Sequence, residues 1–270
     1  MKLPAIVVSD LHLTAHPRDA YRWDLFPWLL KQAAEYRART LLITGDLTDA
    51  KDYHGAELVN KTVAAIVSAR QVFEEVLILP GNHDYLREGH HFFAFLSHLP
   101  GVTMATRPLD TSSRGEACLL LPHTKRPAHD WADFDFSHYR HVFMHQTVSG
   151  SKASNGQLMA GESLPEGLVR DAGKVWSGDI HVPQIIAGVE YIGSPYHVHF
   201  GDDFKPRALL LESRMRWESL HMKSPRRLSV TIGAASELKR LGLQPGDHLK
   251  VSLEMGTATA HQWKQERQRV

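Results

Sequence analysis

The 270-residue chain has one cysteine, Cys118. That excludes an internal disulfide and a thiolate-held metal cluster. Beside Leu119, Leu120 and Leu121, Cys118 reads as a small buried hydrophobe. No apolar run approaches the roughly 20 residues that span a bilayer. Met1-Lys2-Leu3 leads straight into a strand-like stretch with no secretory pattern. The expectation is a cytoplasmic protein with no membrane partner. Net charge is almost missing too, at +1, so the sum does not announce a nucleic-acid binder, although binding depends on how charge is distributed. What the chain has in excess is histidine: 18 residues, a few at spacings that need a chemical reason.

The length suits one large core, or a core with a small appendage. Through the first two-thirds, short aliphatic runs end abruptly in polar residues. Ala5-Ile6-Val7-Val8 ends at Ser9-Asp10, and Thr40-Leu41-Leu42-Ile43 at Thr44-Gly45-Asp46. Val76-Leu77-Ile78-Leu79 ends at Pro80-Gly81-Asn82-His83-Asp84, His141-Val142-Phe143-Met144 at His145, and Lys174-Val175-Trp176 at Ser177-Gly178-Asp179. Such runs predict strands buried on both faces. Apolar residues at helical spacing predict helices over 22–38 and 56–71. Alternating strands and helices imply an α/β fold, whose sites form at the carboxyl ends of strands. Further strands are expected over 189–192 and 207–211. After Lys223-Ser224-Pro225 the pattern becomes a small β-α-β unit, with strands over 228–232 and 249–253 and a helix over 236–241 capped by Ser236. The domain expectation is therefore 1–222 and 223–270, with a polar helix or frayed tail from His261.

Taken singly, the polar clusters differ in weight. Asp10-Leu11-His12 alone reads as a capping aspartate beside a surface histidine, although extended backbone would aim both side chains one way. Asp46 alone reads as a helix cap or turn former, and His145 alone as a satisfied core histidine. Gly81-Asn82-His83-Asp84 is more specific, because a turn has no need of His-Asp after Gly-Asn. Gly178-Asp179-Ile180-His181 repeats the carboxylate–imidazole spacing. Carboxylates, an amide oxygen and imidazoles without sulfur suit Mn²⁺, Fe or Zn²⁺. Seven such groups, Asp10, His12, Asp46, Asn82, His145, Asp179 and His181, exceed what one cation needs. Asp46 is the best candidate to bridge two divalent ions, which in phosphoryl-displacing sites stand about 3.5–4 Å apart.

In order, Asp-x-His, Gly-Asp, Gly-Asn-His-Asp, His and Gly-x-x-His over residues 10–181 resemble the calcineurin-like metallophosphoesterase superfamily. The last motif departs from the usual Gly-His-x-His, with Asp179 in place of histidine. The resemblance implies a four-layer α/β/β/α sandwich of two mixed sheets flanked by helices. It also implies two-metal activation of water, with Mn²⁺ the first expectation. Asp10, His12 and His181 would hold one ion and Asn82, His145 and Asp179 the other, with Asp46 shared. His83 would serve the leaving oxygen, and Asp84 would fix the His83 tautomer. Some family nucleases carry a second catalytic histidine three residues after the bridging aspartate; here that position is Asp49.

Val182-Pro183-Gln184, Tyr191-Ile192-Gly193-Ser194-Pro195-Tyr196 and Phe200-Gly201-Asp202 resemble the Mre11/SbcD DNA nuclease branch, and residues 223–270 resemble a shortened form of its capping domain. The chain is shorter than the cellular nucleases, in the manner of phage-encoded versions. That branch implies DNA as substrate in recombination and repair, by exonuclease or single-strand endonuclease action. It also implies an SbcC/Rad50-type ATPase partner and a homodimer. Ser194, Tyr196 and His197 are expected to line the substrate path with His199, Tyr196 alternatively packing under the loop. Lys125, Arg126, Lys223, Arg226, Arg227, Lys239 and Arg240 are candidates for DNA-backbone contacts. The aromatic, acidic stretch 131–139 reads as a lid or a packed loop. Two other functions fit the same residues. One is a phosphodiesterase or phosphatase for a small phosphate or a phosphoprotein. The other is a non-catalytic scaffold presenting the C-terminal unit to an ATPase, which would have no need of His83.

Overall fold

The computed structural model describes residues 1–254 except 88, 160–163, 166, 214, 215 and 234; the tail expected from His261 lies outside the described residues. Its contacts divide it into two units, Met1–Tyr196 with Asp203–Ser224, and His197–Asp202 with the segment from Pro225.

The first unit is built on two six-stranded mixed sheets. In one, Ala5–Val8, Thr40–Thr44, Glu75–Leu79 and Val102–Met104 run parallel, and Ala208–Ser213 and Arg216–Leu220 extend the Ala5–Val8 edge antiparallel. In the other, Cys118–Leu121, His141–His145, Lys174–Gly178 and Val189–Tyr191 run parallel between antiparallel edges Leu109–Asp110 and Gln184–Ile186. The aliphatic runs have no polar face because both faces are covered. Ala5, Val7, Leu42, Leu77 and Leu79 meet Cys118, Leu120, Phe143 and Trp176 in one cluster between the sheets. The alternate residues Ile6, Leu41, Ile43, Val76 and Ile78 point the other way and are equally buried.

The helix Leu25–Tyr36, led in by a 3₁₀ segment Pro17–Asp24, packs on the helix Ala56–Val72. The latter buries Leu58, Thr62, Ile66 and Ala69, one face at helical spacing. Beyond the second sheet the outer layer is thin. Leu119, Leu121, Val142, Met144 and Val175 are covered by Trp131, Phe136, Val148, Leu164 and Val169, from short helical turns and irregular segments. The stretch 131–139 is therefore a packed loop, with Trp131 and Phe136 in the core.

The second unit pairs Arg227–Ile232 with His248–Leu253 in parallel, joined through the 3₁₀ segment Ala235–Arg240. Arg226 is held by Asp247, Nη2 to Oδ2, at 2.5 Å. Arg227 is buried, donates from Nη1 to the Val198 carbonyl at 2.8 Å and lies over the Phe200 ring at 4.6 Å. These two cations are spent inside the unit rather than presented to a DNA backbone. Lys239 and Arg240 are exposed here, and Lys223 in the first unit. No helix among the described residues is long and apolar enough to cross a membrane.

Candidate metal centre

The polar residues following the parallel strands of both sheets converge. Asp10 follows Ala5–Val8, Asp46 follows Thr40–Thr44, and Asn82 follows Glu75–Leu79. From the second sheet, His145 ends His141–His145, and Asp179 and His181 follow Lys174–Gly178. Ligand atoms of Asp10, His12 and His181 lie within 4.8 Å of one another, as do those of Asp10, Asp46 and His145, and those of His12, Asp46 and His83. Asn82 Oδ1 is 3.2 Å from His145 Nε2, and Asp179 Oδ1 is 3.9 Å from it. All seven candidate ligands are thus brought together. The sheets are joined at this point by the Asp179 amide, which donates to Asp10 Oδ1 at 3.0 Å.

The backbone achieves this differently from the extended i, i+2 geometry expected for Asp10 and His12. Asp10, His12, Asp46 and Asp179 have φ of 55°, 43°, 52° and 81°, a left-handed conformation that non-glycine residues seldom adopt. Each chain turns sharply as it leaves its strand, and such departures cluster at functional sites. Glycine makes the room around His145. At Gly45 (φ +95°) a Cβ would stand 2.0 Å from His145 Nδ1, and at Gly81 it would stand 2.3 Å from Asp46 Oδ1.

The imidazoles are aimed by hydrogen bonds at their far nitrogens. His145 Nδ1 donates to the Thr44 carbonyl at 2.8 Å, which leaves Nε2 as a lone pair facing the centre. His12 Nδ1 lies 3.3 Å from Asp49 Oδ1, and its Nε2 is 3.0 Å from His181 Nε2. His83 Nδ1 donates to the Asp49 carbonyl at 2.7 Å, with its ring edge-on to His12 at 4.8 Å.

Carboxylates crowd the array. Asp10 Oδ2 is buried without a hydrogen-bond partner. The Asn82 amide oxygen faces only acceptors, and only in the swapped orientation would its nitrogen donate to Asp46 and His145 at 3.0–3.2 Å. Burial pushes the Asp10 carboxyl up to about 6, with the Asp46 charge adding to it. Burial alone would lower His145, but the Asp46, Asp10 and Asp179 carboxylates outweigh it and raise the imidazole to about 9. An inward amide oxygen, an orphaned carboxylate oxygen and imidazole nitrogens that converge among carboxylates are what a divalent cation satisfies, displacing the protons those imidazoles hold without it. The residues fit a metal centre.

Other expected residues are placed otherwise. Asp84 does not touch the His83 ring. It is buried, with carboxylate oxygens accepting from the Gly81 amide at 2.9 Å and the Leu47 amide at 3.1 Å, and it ties the Asn82 loop to the Asp46 loop. Burial, then the Asp46 charge, raises its carboxyl to about 7. The backbone of Asp49 takes the tautomer-fixing role expected of Asp84.

Ser194, Tyr196 and His197, expected along the substrate path, are all buried. Ser194 Oγ donates to the Tyr196 carbonyl at 2.6 Å, and the Ser194 amide donates to the His181 carbonyl at 3.0 Å, so this loop braces a candidate ligand. Tyr196 packs under the loop, edge-on to Tyr21 at 5.7 Å, with its hydroxyl donating to the Leu11 carbonyl. His197 lies in the second unit, where its Nδ1 accepts from the Arg227 amide at 3.4 Å.

Three contributors were not foreseen. The Asp49 carboxylate, held down at about 2 chiefly by its hydrogen bond to His12, is one; its position three residues after Asp46 was the available signal. Thr147, whose hydroxyl donates to Asp179 Oδ2, is another. His123, whose Nδ1 donates to the His145 carbonyl at 3.3 Å, is the third. Neither of the last two carried a motif.

No curated protein sequence matches the chain. Among solved structures it is similar to the Pseudomonas putida nuclease MPE, at 16% identity and a TM-score of 0.39, over 80% of this chain and 87% of that one. It is also similar to the phosphopantetheinyl hydrolase PptH from Mycobacterium tuberculosis, at 14% identity and a TM-score of 0.36, over 71% and 90%. At that distance neither neighbour's activity transfers. The decisive comparison is with a family model, the calcineurin-like phosphoesterases, which matches residues 3–183 and so takes in every candidate ligand. With that match lying over the converging ligands, the chain belongs to the calcineurin-like phosphoesterase family.

Proposed function

We propose that this phosphoesterase hydrolyses phosphodiesters of DNA, using two divalent cations with Mn²⁺ preferred. The observation that carries the reading is the pair of ligand groups, Asp10 with His12 and His181, and Asp10 with Asp46 and His145, meeting between two sheet ends with Asn82 and Asp179 at the second group. When bound, such ions activate water and neutralise charge on phosphoryl oxygens. The protein's own groups prepare the site for them. Asp46 lies 3.4 Å from both His12 Nε2 and His145 Nε2, placed to be shared. The carbonyl of Thr44 and the carboxylate of Asp49 keep protons on the far nitrogens of His145 and His12. His83, with its Nδ1 proton committed to the Asp49 carbonyl, has Nε2 left to hold or deliver a proton at the leaving oxygen. DNA as the substrate rests on the resemblance of Gly193-Ser194-Pro195 and Phe200-Gly201-Asp202 to the Mre11/SbcD branch. The first of these segments braces His181 through the Ser194 amide.

End-labelled single- and double-stranded DNA incubated with Mn²⁺ tests the reading, with Fe and Zn²⁺ as parallel arms. The expected result is product from the wild type and none from Asp46→Ala. No wild-type product, equal product from Asp46→Ala, or faster turnover of a small aryl or cyclic phosphodiester than of DNA would sink it.

A further inference from the structure

A cleft of about 590 Å³ opens beside the metal centre, within the range of about 300–1,000 Å³ typical of ligand sites. Its walls start at ligand-bearing loops. Tyr85 follows directly on Asn82-His83-Asp84. His123 lies two residues beyond the strand Cys118–Leu121 and has its ring 6.3 Å from that of His145 and 6.2 Å from that of Tyr85. Outward from these rings the lining turns cationic, with Arg107, Lys125 and Arg126, all exposed. The acid in the lining, Asp130, is already engaged by the Thr124 hydroxyl, by His129 Nδ1 at 2.9 Å and by Arg126 at 3.5 Å. Arg107 and Lys125 have no ion-pair partner among the described residues. A concavity with an aromatic ring near the reaction centre and unpaired cations farther out matches one nucleotide of a single strand, with its base on the ring and its phosphate on the cations.

We propose that this cleft binds the nucleotide flanking the scissile phosphate of single-stranded DNA, with Arg107 and Lys125 holding its phosphate and Tyr85 its base. The proposal rests on the DNA reading above and adds to it where the strand lies. It replaces Tyr196 and His197, which are buried, with residues that reach solvent.

The test is binding of a short fluorescein-labelled single strand by anisotropy across a salt series, with Ca²⁺ as the divalent ion, alongside turnover with Mn²⁺ of the same strand and of bis(p-nitrophenyl) phosphate. For Arg107→Gln with Lys125→Gln, the Kd should rise roughly tenfold. The slope of log K against log salt should shrink by about 0.7, the share of the one phosphate that the two cations hold. Tyr85→Ala should weaken binding roughly tenfold with the slope kept. In each variant the preference for DNA over the small ester should fall by a similar factor. Variants that bind DNA with wild-type affinity and slope, or that lose both substrates in parallel, overturn the cleft assignment alone. A wild type that hydrolyses the ester but not DNA overturns the cleft and the DNA reading together.

Discussion

Asp49 Oδ1 stands 3.3 Å from His12 Nδ1, behind the ring edge whose Nε2 meets His181. A carboxylate in that position fixes the ring and makes its other nitrogen a better donor to a cation. Asp49→Ala should therefore lower divalent-ion affinity about 10- to 100-fold, read by isothermal titration. Turnover should recover at saturating metal, because the Asp49 carbonyl that orients His83 is backbone and survives the substitution. Turnover that stays low at saturating metal would show that the carboxylate does more than support His12.

His83 offers a different kind of loss. Its ring lies near His12 and Asp46, yet its assigned work is with a proton. His83→Ala should cut kcat about 10²- to 10⁴-fold while two ions still bind. A drop in bound metal, measured by elemental analysis after dialysis, would make His83 a ligand instead.

The buried charges predict how stability follows pH in EDTA. The Asp10 carboxyl at about 6 and the His145 imidazole at about 9 lie above their ordinary values of 3.8 and 6.5. Each holds its proton more tightly in the fold than in the unfolded chain. The associated stability is fully present below the ordinary value and is lost as pH rises through the raised one. Melting temperature should thus fall by several degrees between about pH 4 and pH 9, and divalent metal should restore more of it the higher the pH, since the ions displace those protons. Differential scanning fluorimetry across that range checks both signs. A metal-free melting temperature that rises through the window would contradict them.

Asp179, the departure from the Gly-His-x-His pattern that the sequence resembles, is fixed by the Thr147 hydroxyl. Changing this hard, charged oxygen ligand for an imidazole should move metal preference toward Zn²⁺. Competition between Mn²⁺ and Zn²⁺ in wild type and Asp179→His measures the shift; an unchanged ratio would remove Asp179 from the ligand set.

Gly45→Ala is the packing test. Its Cβ would fall 2.0 Å from His145 Nδ1 at a φ of +95°. The ring must move or the turn must open, for a destabilisation of about 2 kcal/mol or more. Chemical denaturation and metal titration should both register it, and a variant that is as stable and binds metal as well would deny His145 its tight socket.

Much of this was legible in the residues. An aliphatic run that stops at a carboxylate or imidazole marks both a strand and its carboxyl end, so Ala5–Val8 and Glu75–Leu79 announced Asp10 and Asn82 together. What stayed hidden depended on partners remote in sequence. Tyr196 looks available beside Gly193-Ser194-Pro195 until Tyr21 and the Leu11 carbonyl close over it. Asp84 looks like the partner of His83 because it is adjacent, but its oxygens are drawn to the Leu47 and Gly81 amides. The brace that replaces it is a backbone carbonyl, which every residue owns and no motif records. Left-handed turns at Asp10 and Asp179 were equally silent, since neither residue is itself a glycine.

The amide–carboxylate link between Asp179 and Asp10 spans 169 residues, and this sets an order of events during synthesis. A nascent chain that has not yet reached Lys174–Gly178 can present Asp10, Asp46 and Asn82 but cannot close the pocket around a cation. Ion capture must wait for both sheets to form and dock. From that moment the bound ions stabilise the docked state by mass action, so metal uptake doubles as a checkpoint on completed folding.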